Sequence, residues 1–277
     1  MRADAMRTDT GPAVADPLAA WRIGSEPYYR PRDDECVQFE AAWSRRLPLL
    51  LKGPTGCGKT RFVQHMAWRL GRPLVTVACN EDTTAGDLLG RWLLDAQGTA
   101  WQDGPLALAA RHGALCYLDE IVEARPDALV AIHPLTDDRR TLPLDRASAL
   151  IHAHPDFMLL ASYNPGGSRE LKPATRQRFC GLAFDYPEAE DEVAVLMREG
   201  GVAVELASSL VALGRRTRRL AGQGLEEGAS TRMLVRAAQL VRQGLAPRAA
   251  ALSALVVPLA DDDMLQQALV AAVDATF

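Results

Sequence analysis

Residues 53–60, Gly-Pro-Thr-Gly-Cys-Gly-Lys-Thr, place glycine, lysine and a hydroxyl at the GxxxxGK[ST] spacing of a phosphate-binding loop. The chemistry such a loop can do is to cradle a triphosphate. Gly53, Gly56 and Gly58 open backbone angles closed to other residues and bring N–H groups to phosphate oxygens at a helix N-terminus, whose dipole favours anions. Lys59 is the mobile cation for the β and γ phosphates of ATP, and Thr60 offers a hydroxyl to Mg²⁺. Pro54, Thr55, Cys57 and Arg61 complete the nucleotide-contacting set. A glycine-rich turn can match by chance, but this one lies between an apolar run (Leu47, Leu49, Leu50, Leu51) and the helical pattern Phe62, Val63, Met66, Leu70.

About 60 residues further on, Asp119 and Glu120 close a third apolar run. Strands commonly exit into acidic turns, so the pair says little alone. Behind a complete phosphate loop, Asp119 becomes the Mg²⁺-holding carboxylate and Glu120 a carboxylate able to polarise an attacking water. Asn164, in Ser-Tyr-Asn-Pro, ends the next run and is placed to orient that water or read the γ-phosphate, although Asn-Pro also starts turns. Arg176 and Arg178, in ATRQRF, are either loop arginines or suppliers of charge to a site in a neighbouring subunit. Arg232, in GASTR, opens a helix from which it can reach the same phosphates or simply face solvent.

These side chains need a scaffold that gathers strand ends. Apolar runs at 47–51, 73–79, 114–118, 157–162 and 181–184 predict five strands separated by helix-length segments, hence an α/β fold with a parallel sheet covered by helices on both faces. Chemistry in such sheets collects at the carboxyl ends of the strands. Beyond Tyr186 and Pro187 only helical periodicity remains, at 190–198, 204–219, 231–243, 247–259 and 262–273. The predicted division is a disordered tail (1–24), an α/β nucleotide-binding domain (25–187) and a helical lid (188–277). Pro27, Tyr28, Tyr29 and Pro31 predict an extended segment against the nucleotide. Residues 83–104 read as helical or irregular, an insert above the core, and 139–156 as a hairpin with Leu142 and Leu144 going out, Asp145 and Arg146 turning, and Ala149 and Ile151 returning.

Composition excludes several classes. The 277 residues are 48% hydrophobic and 24% charged, an ordinary globular balance. No apolar run approaches roughly 18 residues and no basic start precedes a long apolar segment, so neither a membrane span nor a signal peptide is predicted. Five scattered cysteines without a CxxC pair indicate reduced thiols and a cytoplasmic location. A net charge of −4 gives no general field for nucleic acid. His152 and His154 lack the further ligands a zinc site needs, and the run Arg215, Arg216, Arg218, Arg219 reads as a solvated helix face.

Taken in order, GPTGCGKT, Asp119-Glu120, SYNP, TRQRF and GASTR resemble the AAA+ ATPases of the MoxR branch. The longer strings GRPLVTVACNEDTTAGDLLGRWLLD, WQDGPL, YLDEIVEAR, IHPLTDDRRTLPLD and LKPATRQRF resemble the CbbQ/NirQ/NorQ subfamily. The likeness runs from about Glu26 to near the C-terminus; the loop 164–171 is shorter than the family's stretch there. It implies a P-loop AAA+ core with a helical lid and a ring-forming, usually hexameric homo-oligomer with nucleotide between subunits. In that ring Glu120 activates water, Asn164 is the first sensor, Arg232 the second, and Arg176 or Arg178 the finger entering the neighbour's site. It also implies a von Willebrand factor A domain adaptor of CbbO/NorD type and a target enzyme, inhibited Rubisco for CbbQ-like members or nitric oxide reductase for NorQ-like members. Two other readings are a nucleic-acid motor, disfavoured by charge, and a small-molecule phosphotransferase, which would need neither Glu120 nor a lid.

Overall fold

Short apolar runs bounded by glycine, proline or polar turns become strands, and their order in space brings distant residues together. The computed structural model describes residues 16–95, 98–167, 169–222 and 225–277. The strands are β1 (Leu49–Lys52), β2 (Leu74–Ala78), β3 (Gly90–Asp95), β4 (Gly98–Asp103), β5 (Leu115–Asp119), β6 (Thr141–Leu144), β7 (Ala149–His152), β8 (Met158–Tyr163) and β9 (Cys180–Ala183). Five of them make the predicted parallel sheet, in the order β2-β5-β8-β1-β9. Its register pairs Lys52 with Tyr163 and Leu118 with Ala161, so the exits of β1, β5 and β8 share one edge.

Alternation along the strands builds a core on each face. Leu50, Cys116, Leu118, Leu159 and Ala161 face one side, and Leu49, Leu51, Tyr117, Met158 and Leu160 the other. The second face is covered by α1 (Glu35–Arg45) through Phe39 and by α2 (Lys59–Arg69) through Phe62, Val63 and Met66. The first is covered by short α3 (Ala85–Leu89) through Leu88 and by α4 (Pro105–His112), whose Leu106, Ala109 and Ala110 fall at helical spacing. Smaller helices α5 (Pro126–Ala131) and α6 (Pro173–Arg176) sit in the connections.

The lid consists of α7 (Ala189–Val195), which runs on as a π turn at Leu196–Gly200, then α8 (Val204–Arg219) and α9 (Thr231–Arg242). A broken helix follows as α10 (Pro247–Ala251), a π turn and α11 (Val257–Leu259), and α12 (Asp263–Asp274) ends the lid. Leu196, Leu210, Leu234, Leu255 and Leu269 form a core of its own.

Two expectations need correction. Residues 83–104 are helix α3 followed by an antiparallel hairpin, β3 with β4; Trp92 and Trp101 pair across it, a pattern whose period of two was masked by the preceding helical leucines. The hairpin expected at 139–156 is present, Leu142 opposite Ile151 and Leu144 opposite Ala149, with Leu142, Leu144 and Ile151 buried in the first core. Of the predicted tail, residues 1–15 lie outside the described residues, whereas Leu18, 3% exposed, and Trp21 pack on the first core, with a 3-10 turn over Ala19–Trp21.

Candidate functional site

The turn from β1 into α2 takes the phosphate-loop path. Gly56 and Gly58 adopt φ of +68° and +108°, the left-handed region that favours glycine. Gly53 is needed for a different reason from the one its sequence position implies. Its φ is not positive, and a Cβ there would sit 2.5 Å from the Phe184 carbonyl oxygen, so the requirement is space between adjacent strands β1 and β9.

Lys59, 7% exposed, donates from Nζ to the carbonyls of Gly53 (2.7 Å) and Pro54 (2.9 Å) and to Asn164 Oδ1 (2.7 Å). Burial pulls its pKa below the usual lysine range. Asn164 Nδ2 in turn donates to Glu120 Oε1 at 3.1 Å, so one amide spans the loop lysine and the second carboxylate. Thr60 Oγ1 donates to Asp119 Oδ2 at 3.0 Å. Residues 105 positions apart meet because β1 and β8 are neighbours in the sheet.

Two residues that sequence reasoning missed hold the Asp119 carboxylate and the Glu120 turn. Ser162, fully buried, donates to Asp119 Oδ1 (2.5 Å) and accepts the Glu120 N–H (3.1 Å); Tyr117 OH donates to the same Oδ1 at 2.7 Å. Burial raises the Tyr117 pKa, so its proton stays in place as a donor. Glu120 itself has φ +56°, rare for a residue with a side chain, and the Ser162 bond helps hold that turn. Only strand register puts Ser162 beside Asp119; no local spacing announces it.

A cavity of about 340 Å³ opens over the loop. Residues 55–61, Glu120 and Asn164 line its floor, and Tyr28, Tyr29, Arg30 and Arg32 one wall. That wall is fixed by Glu35, whose carboxylate accepts from Tyr29 OH (2.7 Å) and from the N–H groups of Arg32 and Asp33 (2.9 Å each). Burial alone would raise the Glu35 pKa, but these donors outweigh it and hold it low. The opposite wall is lid: Val195 and Glu199, then Arg232, Val235, Arg236 and Gln239 at the i, i+3, i+4, i+7 positions of one α9 face. Arg232 is therefore over the loop as expected. The other three were legible only once Arg232 was taken as the anchor of a helix face. Arg61 lines the mouth and pairs with Glu199 at 3.2 Å.

Arg176 and Arg178 do not line this cavity. Arg178 stands 3.9 Å from Asp137, and its buried Nε has no partner among the described residues. Arg176 ends α6, exposed and without an ion pair among the described residues.

Of the basic run on α8, Arg216 and Arg219 are exposed as expected, but Arg218 is not. Arg218 is 13% exposed and makes a two-pronged ion pair with Glu192, itself fully buried, at 2.6 and 2.9 Å. His154 Nδ1 accepts the Asp156 N–H, and among the described residues no three His, Cys, Asp or Glu side chains stand close enough to hold a metal. All five cysteines are free thiols, and no helix among the described residues is long and apolar enough to cross a membrane.

A parallel sheet with a phosphate loop, paired carboxylates at the exit of β5 and a helical lid over the cavity defines a nucleotide-binding AAA+ ATPase. Residues 48–179 match the AAA domain (dynein-related subfamily), and residues 192–276 match the CbbQ/NirQ/NorQ C-terminal domain. CbbQ of Hydrogenophilus thermoluteolus is 55% identical over 258 residues, 92% of this chain and 97% of that protein. NorQ of Paracoccus denitrificans is 55% identical over 246 residues, 88% of this chain and 91% of that protein. The chain belongs to the CbbQ/NirQ/NorQ family of MoxR-type AAA+ ATPases. The fold extends further: a RuvB mutant from Thermotoga maritima superposes with TM-score 0.54 at 18% identity, covering 87% of this chain and 67% of that one.

Proposed function

We propose that the chain hydrolyses ATP as one subunit of a homo-oligomeric, hexameric ring in the cytoplasm and uses the cycle to remodel a target enzyme through a von Willebrand factor A domain adaptor of CbbO/NorD type. The observation that carries the catalytic part is the chain of contacts Lys59, Asn164, Glu120, with Thr60 beside Asp119.

Thr60 Oγ1 and Asp119 Oδ2 fit Mg²⁺, a hard cation that accepts two protein oxygens and completes its shell with water and phosphate oxygens. When bound, Mg²⁺ neutralises phosphate charge and aligns the leaving group. Loop N–H groups and Lys59 hold the phosphates. Glu120 orients and polarises the attacking water, and Asn164, already in contact with both Lys59 and Glu120, reports whether a γ-phosphate lies between them. Arg232 supplies charge from the lid.

Glu120→Gln keeps shape and hydrogen bonding but not the charge. It should lower kcat by about a hundredfold or more while ATP affinity stays within a few-fold, as read by phosphate release and by binding of a fluorescent nucleotide. Full turnover in that variant would instead favour a phosphotransferase.

The finger arginine comes from the adjoining subunit, and Arg176, exposed on α6, is the freer of the two arginines. Arg176→Ala or Arg178→Ala should slow turnover by about a thousandfold in one case, with ADP binding preserved. If neither slows it, the site is not shared between subunits.

Equal identity to CbbQ and NorQ leaves two targets in play. The leading one is Rubisco in an inhibited state, the alternative nitric oxide reductase. ATP-dependent recovery of one enzyme and not the other, with a von Willebrand factor A domain adaptor added, decides between them.

A further inference from the structure

Lid and phosphate loop are joined by one unbroken chain of contacts that nothing in the hydrolysis chemistry uses. Tyr186 OH donates to the Thr55 carbonyl at 3.1 Å. Burial pushes its pKa up to about 12, so the proton stays on the hydroxyl near neutral pH. The ring of Tyr186 lies under the Arg218 guanidinium, 3.8 Å from centroid to Cζ, a cation–π contact on a half-buried face. Arg218 Nη1 and Nη2 donate to Glu192 Oε2 and Oε1, and Oε1 also accepts Thr231 Oγ1 at 2.5 Å. Thr231 is the first residue of α9, one before Arg232.

The same hub straps down the backbone that leads into α9. Arg218 Nε donates to the Ala229 carbonyl at 2.7 Å, and the Ala229 N–H donates to Thr217 Oγ1 at 2.9 Å. Gly228 passes so close to the Arg218 backbone that a Cβ there would collide with it. Ser230, the N-cap of α9, lies against Gly56, where an added Cβ would be 2.7 Å from the Ser230 side chain. Both backbone polar groups of Ala229 are thus tied to α8, and Ser230 touches the loop.

We propose that Tyr186, Arg218, Glu192 and Thr231 form a positioning relay that registers the start of α9 on the phosphate loop and so sets where Arg232 stands over the nucleotide; this rests on the reading of Arg232 as a phosphate-directed group. The relay touches neither water nor scissile bond. Its members act through Arg232, since a rigid fork and a stacked ring transmit position better than flexible, solvated pairs.

The test is a pair of double-mutant cycles on the full-length protein, with kcat and KM for ATP measured alongside melting temperature. Tyr186→Phe removes only the hydroxyl that reaches Thr55, and Thr231→Val only the one that reaches Glu192; both preserve shape, and each stands in for the other should one fail to fold. Each should lower kcat about fivefold to tenfold with KM changed less than about threefold. Combined with Arg232→Ala, each should reduce kcat no further than Arg232→Ala does, within about twofold, because a relay has nothing to position once its terminal group is gone. Multiplying losses in the double variants, or an unchanged kcat in both single ones, overturns the relay while leaving Arg232 in its role. An Arg232→Ala variant with undiminished kcat overturns the reading of Arg232, and the relay with it.

Discussion

Lys59→Met should abolish ATP turnover and weaken nucleotide binding by about two orders of magnitude, the equivalent of about 3 kcal/mol lost with one buried, hydrogen-bonded charge partner. The ammonium lies under the loop, 7% exposed, aimed at two carbonyls and Asn164, and a thioether can serve none of them. The same substitution should not lower the melting temperature of nucleotide-free protein. Burial depresses the Lys59 pKa, so the unfolded chain holds that proton more tightly than the folded one. Wild-type stability therefore rises as pH climbs from the folded pKa toward the ordinary lysine value, and Lys59→Met should flatten that rise. Calorimetric titration with a non-hydrolysable ATP analogue and melting curves across alkaline pH read both effects. Turnover near the wild-type rate would remove the phosphate loop from the mechanism. A large drop in melting temperature would show instead that the lysine is chiefly structural.

Arg218→Ala should be the most destabilising single change in the lid, about 3 to 5 kcal/mol. It leaves the Glu192 carboxylate, fully buried, with Thr231 as its remaining hydrogen-bond donor, and it frees the Ala229 carbonyl. An uncompensated buried charge costs more than the pair contributes, so Glu192→Leu combined with Arg218→Met should recover much of the loss. Amide exchange in α7, α8 and the first turn of α9 should accelerate in Arg218→Ala, with protection of β1, β5 and β8 retained, because the lid core is distinct from the two sheet cores. Equal acceleration in the central strands would mean that lid and sheet unfold as one unit.

These two side chains mark what could and could not be read in advance. Lys59 is legible because its meaning is local: glycines, lysine and threonine at fixed offsets, between an apolar strand and an amphipathic helix, have few other uses. The five strands of the parallel sheet, the hairpin at 139–156 and the change from strands to helices after Pro187 were likewise legible from periodicity. Arg218 was misread as solvated because a basic run on a helix usually is, and its partner lies 26 residues earlier, where a glutamate in an acidic first turn looks equally exposed. Gly53 was assigned the right importance for the wrong cause: the constraint comes from Phe184, just beyond the end of β9 and much later in the chain.

Residue types at short spacing determined that this chain binds a triphosphate, and longer strings placed it in the CbbQ/NirQ/NorQ family. Backbone angles, dipoles and side-chain periods act over a few residues, so a linear string records them faithfully. Tertiary structure alone decided that Ser162 and Tyr117 grip Asp119, that Asn164 bridges Lys59 and Glu120, and that Glu192 sinks beneath Arg218 to fasten α9 to the loop. Each of those contacts depends on strand order, register or burial, quantities that arise only when segments far apart in the chain compete for the same interior.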